Sequence, residues 1–148
     1  MKKLFIYYSL TGSGDLVASK LKDKGYEIRK VVEKKKMPKK FFFMVLTGGF
    51  RAGINAKAKL IDYNPDVSSF DEIVIGSPIW NGKFTPTLNS IVEQTDLSNK
   101  KLTFIFYSGS GEGEKALKKV NKLYPDAKVI FMKEPKKYEQ EFEKLLDL

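Results

Sequence analysis

The sequence predicts an α/β domain, a parallel sheet with helices packed on both of its faces. Two observations carry that reading. Four runs are apolar almost without interruption, at residues 4–8, 73–75, 102–107 and 129–132, the habit of strands covered on both faces. The segments that separate them repeat their apolar residues at helical spacing instead. Strand alternating with helix along one chain implies crossover connections and a parallel sheet.

The elements follow in order. Leu4-Phe5-Ile6-Tyr7-Tyr8 opens the sheet. A helix comes next, with Leu16, Val17 and Leu21 on one face and Gly25 placed to end it. Residues 26–32 alternate more loosely and carry Arg29 and Lys30, as an edge strand does. Ile73-Val74-Ile75 is the third strand, and Leu88, Ile91 and Val92 mark the helix after it. The fourth strand, 102–107, is followed by a helix carrying Leu117, Val120 and Leu123. After the fifth strand, 129–132, Tyr138, Phe142, Leu145 and Leu146 form a last stripe, with Pro135 near the helix start. No repeat or linker interrupts the 148 residues, so one domain spanning 1–148 is expected. The periodicities leave strand order open.

Composition narrows the chemistry. Hydrophobic residues make up 42% of the chain, too many for a disordered one. There is no cysteine and no histidine. Disulfides, thiol nucleophiles, the commonest zinc ligands and histidine acid–base catalysis are thereby removed, and no metal is expected. A cytoplasmic location fits. The apolar run after Lys3 is too short for a signal peptide, and no stretch reaches the roughly 18 apolar residues of a membrane span. The formal charge is +9, from 27 basic and 18 acidic residues. Only Arg29 and Arg51 are arginines. Lysine is a hydrated point charge without arginine's bidentate fork, so the charge reads as solubility and partner choice, and nucleic acid is not the expected partner.

In an open parallel sheet ligands bind beyond the carboxyl ends of the strands. Three loops are placed there. Ser9-Leu10-Thr11-Gly12-Ser13-Gly14 leads from the first strand into a helix, with hydroxyls, glycines and no charge. Such a loop is either a phosphate cradle of hydroxyls and helix N-terminal amides or a plain capped turn. Gly76-Ser77-Pro78-Ile79-Trp80-Asn81-Gly82 follows the third strand and holds the only tryptophan among turn-forming residues. Its indole either faces a planar ligand or packs on a neighbouring helix. Ser108-Gly109-Ser110-Gly111-Glu112-Gly113 follows the fourth strand, either as a donor-rich ligand loop or as a mobile connection. All three fall on one edge of the sheet.

On these residues the chain resembles the flavodoxins. Residues 7–14 are similar to their phosphate loop, 71–80 to their next cofactor loop and 102–113 to their third. The resemblance implies a three-layer doubly wound sandwich around a five-stranded parallel sheet ordered 2-1-3-4-5, with flavin mononucleotide (FMN) as cofactor. It implies that Ser9, Thr11 and Ser13, with the amides through Gly14, hold the phosphate. It further implies that Trp80 stacks on the isoalloxazine, and that residues 108–113 border its pyrimidine edge. The implied cofactor-binding set is Ser9, Leu10, Thr11, Gly12, Ser13 and Gly14, then Ser77, Pro78, Ile79, Trp80, Asn81 and Gly82, then Ser108, Gly109, Ser110, Gly111 and Gly113.

Three features depart from that pattern. The phosphate loop ends in Gly14-Asp15 where the family has threonine or serine; no aromatic stands within 108–113; and the protein is basic where electron-carrier flavodoxins are acidic. The last implies an acidic redox partner. Residues 33–60 exceed one crossover and combine a lysine run with Phe41-Phe42-Phe43 and Gly48-Gly49-Phe50-Arg51. Lysines beside aromatics read either as a nucleic-acid or membrane-surface contact or, the favoured reading, as a buried helix after a solvated charge run. The resemblance to short flavodoxin-like proteins adds Phe50 or Arg51 as residues that approach the flavin. Related folds fit less well. A phosphoreceiver needs acidic residues after its first strand, a dinucleotide-binding domain G-x-G-x-x-G, and a P-loop protein Gly-Lys-Ser/Thr, and none stands here. The expected function is electron transfer through FMN, as a carrier or a small reductase. The alternative is a flavin-free scaffold acting as a basic interaction module.

Overall fold

The computed structural model describes residues 1–34 and 57–148. Five parallel strands form the sheet: β1 (Lys3–Tyr7), β2 (Glu27–Lys30), β5 (Glu72–Trp80), β7 (Lys101–Ser108) and β8 (Lys128–Lys133). Their order across it is β2-β1-β5-β7-β8, the 2-1-3-4-5 arrangement, with β2 at an edge. Two short strands, β3 (Val32–Glu33) and β4 (Leu60–Ile61), pair antiparallel beside it, and β6 (Lys83–Phe84) folds back on the end of β5.

Alternation along the strands divides the core between the two faces. Phe5 and Tyr7 of β1, Val74, Ile105 and Ile130 pack against Val17, Ala18 and Leu21 of helix α1 (Ser13–Asp23). Leu4, Ile6, Ile73, Ile75, Phe104 and Phe106 face the other way. They meet Leu88 and Ile91 of α2 (Pro86–Gln94) and Ala116 and Val120 of α3 (Glu114–Leu123). α1 ends where its sequence says it should: Gly25 takes φ 86°, and the amides of Lys24 and Gly25 close on the carbonyls of Leu21 and Lys22.

Two expectations need correction. The third strand does not stop at Ile75 but runs on to Trp80. β1 pairs with it only as far as Gly76, so beyond that point Pro78 lies on an open side where a missing N–H costs no ladder bond. The last stripe is not an α-helix begun near Pro135 but a 3-10 helix, Glu139–Leu145. Three residues per turn aligns Phe142 with Leu145 on the α1 side of the sheet and leaves Leu146 70% exposed.

At the amino end of β5, away from the loops that follow the strands, Glu72 is 1% exposed. Tyr26 Oη donates to it at 2.5 Å and Lys101 Nζ at 3.1 Å. Burial works against its charge, but those bonds and the neighbouring lysines outweigh burial and hold the carboxyl below its ordinary range. A depressed carboxylate stabilises the fold above its unfolded pKa of about 4.3 and loses that contribution as pH falls through the folded value. Wild-type melting temperature is therefore expected to drop more steeply than that of Glu72→Gln as pH is lowered below about 4. Parallel melting curves in that range would assign the acid sensitivity to another carboxylate.

Candidate functional site

The carboxyl ends of β1, β5, β7 and β8 surround a cavity of about 600 Å³. The first loop contributes Leu10, Thr11 and Ser13 to its wall. Ser9 braces that loop from within, its Oγ accepting from the amides of Gly12 at 3.2 Å and Gly14 at 3.0 Å. Gly12 turns the chain into α1 at φ 90°, a conformation that disfavours side chains, and its carbonyl accepts the first helical bond from Leu16. Gly14 is buried under the loop, and a Cβ there would lie 2.6 Å from Tyr107 Oη. The carboxylate of Asp15 is occupied by Tyr7 Oη at 2.6 Å and Lys30 Nζ at 2.8 Å. Burial opposes its charge, but these partners outweigh burial and keep it below its ordinary pKa range.

The second group is a β-hairpin rather than a loop. Pro78, Ile79, Trp80 and Asn81 line the cavity. Trp80 pairs with Lys83 across a two-residue turn in which Asn81 and Gly82 take φ 52° and 72°. Asn-Gly between strand-forming residues is the strongest short hairpin signal, and it stands in this sequence. Gly82 lies outside the lining; its carbonyl accepts from Ala116 of α3 at 2.8 Å, which ties the hairpin down. Ser77 is wholly buried, its hydroxyl on the Pro78 carbonyl at 2.8 Å and near Thr85 Oγ1 at 3.1 Å. Its side chain supports the hairpin from beneath.

From the third group Ser108 and Gly109 line the cavity, whereas Ser110, Gly111 and Gly113 do not. Ser108 Oγ accepts from Gly111 N at 2.9 Å. Gly111, at φ 74°, backs onto Lys133, and Gly113 packs against Ile79 and Phe131. Gly113 thus acts on the cavity only through Ile79.

Four lining residues escaped the sequence reading. Tyr107, read as strand, presents its buried ring to the cavity while its hydroxyl donates to the Tyr8 carbonyl at 2.5 Å. Burial, reinforced by Tyr7 and Asp15, pushes that phenol well above its usual pKa, so it stays a donor. Glu134, Lys136 and Lys137 come after β8. The rule that located the other loops, inspection of the residues just past each strand, would have found them at the fifth. Lys136 Nζ donates to the Thr11 carbonyl at 2.6 Å, and Lys137 pairs with Glu134 at 3.2 Å. Phe50 and Arg51 lie outside the described residues.

The cavity falls within the roughly 300–1,000 Å³ of small-molecule sites. Apolar walls of Leu10, Pro78, Ile79, Trp80 and Tyr107 adjoin the hydroxyl-bearing residues Thr11 and Ser13 at the start of α1. That donor set suits a ligand with a flat apolar body and an anionic end. Among the described residues no group of three or more acidic side chains is arranged to hold a metal, and no helix is long and apolar enough to cross a membrane.

Residues 54–143 match the sequence profile of the flavodoxin domain. Among solved structures, the chain is similar to a candidate flavoprotein from Bacteroides uniformis, with TM-score 0.76 and 19% identity over 96% of this chain and 97% of that one. It is likewise similar to a flavoprotein from Lactobacillus acidophilus in complex with FMN, with TM-score 0.68 and 19% identity over 94% of this chain and 97% of that one. At such identities the likeness is one of fold. No curated protein sequence matches.

Proposed function

Because this chain belongs to the flavodoxin domain family, we propose that it binds FMN in the cavity at the carboxyl edge of its sheet and serves in electron transfer, as a carrier or a small reductase. The observation that carries this reading is the junction of a hydroxyl-bearing loop at the start of α1 with an apolar cavity walled by Trp80. The donor set fits the cofactor. Thr11, Ser13 and the first amides of α1 other than Gly14's, which Ser9 Oγ takes as it keeps the loop in shape, would hold the phosphate. Trp80, Pro78 and Tyr107 would exclude water from the ring, and Ser108 and Gly109 would border it. When bound, FMN supplies the one- and two-electron chemistry that no side chain here provides.

Net charge supports an acidic electron partner, because +9 attracts an acidic surface over about a Debye length and less so as salt is added. The test is absorbance and calorimetric titration with FMN and riboflavin. FMN is expected to bind the more tightly, and Thr11→Ala to lower FMN affinity alone, by about 1 kcal/mol for one lost hydrogen bond. Equal affinity for both flavins would remove the phosphate from this loop. A protein that takes up neither would instead be a flavin-free interaction module.

A further inference from the structure

We propose that Lys136 is the residue that makes this site prefer a phosphorylated ligand, an inference that rests on the FMN reading above. The phosphate loop itself carries no charge. Two of its amides, those of Gly12 and Gly14, are already given to Ser9 Oγ. Gly14 brings no hydroxyl of its own. What remains, two hydroxyls and the partial positive charge of the helix start, offers a dianion no full counter-charge.

Lys136 supplies it from the far end of the chain. After β8 the backbone turns at Glu134, whose amide donates to the Ser108 carbonyl at 3.0 Å and whose φ is 37°. The Glu134 carbonyl then accepts from Lys137 N at 2.8 Å. A left-handed glutamate is costly, and these bonds hold it in place. The turn carries Lys136 back over the start of α1. Its ammonium reaches the Thr11 carbonyl at 2.6 Å, and its stem and Nζ lie 3.8–3.9 Å from where a Cβ on Gly12 would stand.

Its partner there is a neutral carbonyl. Among the described residues no carboxylate pairs with Lys136, whereas Lys137 is engaged by Glu134 and Lys30 by Asp15. A lysine beside an anion-binding helix start and without a counter-charge exchanges a carbonyl for a phosphate at a gain, since bonds between two charged groups are the stronger. Riboflavin offers it nothing.

The experiment is calorimetric titration of wild type, Lys136→Met and Lys136→Arg with FMN and with riboflavin, in low and high salt. Lys136 is exposed, so the variants fold as wild type does, which melting curves check. Lys136→Met is expected to bind FMN about tenfold more weakly, to bind riboflavin unchanged and to lose part of the salt dependence. Lys136→Arg restores most of the affinity and the salt dependence. Unchanged FMN affinity in Lys136→Met overturns the proposal while the FMN reading stands. Equal losses for both flavins overturn it too, by reducing Lys136 to a tether for Thr11. Wild-type protein that binds neither flavin overturns the FMN reading, and this inference with it.

Discussion

Gly14→Thr is expected to lower the melting temperature by roughly 6–12 °C, about 3 kcal/mol for a domain of this size. A Cβ at position 14 would lie 2.6 Å from Tyr107 Oη, 2.7 Å from Tyr7 Cδ2 and 2.8 Å from Ser9 Cβ. None of the three yields easily. Tyr107 is held by the Tyr8 carbonyl, and Tyr7 is stacked on Phe5 at 5.1 Å and bonded to Asp15. Ser9 is fixed by the loop amides it accepts from. Alanine exceeds glycine by about 1 kcal/mol in helix propensity, so any loss in Gly14→Ala understates the contact itself. The hydroxyl that the family pattern places here has no room in this chain, and restoring it should harm the loop. Calorimetric melts of wild type, Gly14→Ala and Gly14→Thr decide the matter. A threonine variant as stable as wild type would mean that the tyrosines move aside.

Trp80→Ala is expected to weaken FMN binding about 30-fold, close to 2 kcal/mol, the usual worth of an aromatic face under a planar ring. Trp80 ends β5, half-buried against the cavity, opposite Lys83 in the hairpin. Being the only tryptophan, it reports on itself. Its fluorescence should be strongly quenched as FMN saturates wild type, and Trp80→Phe should keep much of the affinity. Stability should change little, because the indole packs at a strand end and not in either core cluster. Unquenched emission at saturation would place the ring elsewhere.

Much of this architecture was legible because it is periodic. The buried strands announce themselves as short apolar runs, and Arg29 and Lys30 mark β2 as an edge. Ser9 to Gly14 was conspicuous as an uncharged loop between a strand and a helix. The end of β5 was misread for a local reason. Gly76, Ser77 and Pro78 look like loop residues, and only the early end of β1 makes room for a proline in the strand. The Asn81-Gly82 turn was readable and outweighed by those neighbours.

The sequence by itself determined the succession along the chain of the five main strands and the helices α1, α2 and α3, and the edge on which a ligand would lie, since each follows from patterns a few residues long. Tertiary structure alone decided which side chains face that edge and which turn away from it. Ser9 and Ser77 turn inward, Gly14 is compressed between two tyrosines, and Lys136 closes on Thr11 across 125 residues. The physical reason is that a side chain's partners depend on which distant backbone segments pack together. A lysine just beyond β8 has the same local pattern whether it faces water or, as here, returns over α1 to the loop that carries Thr11.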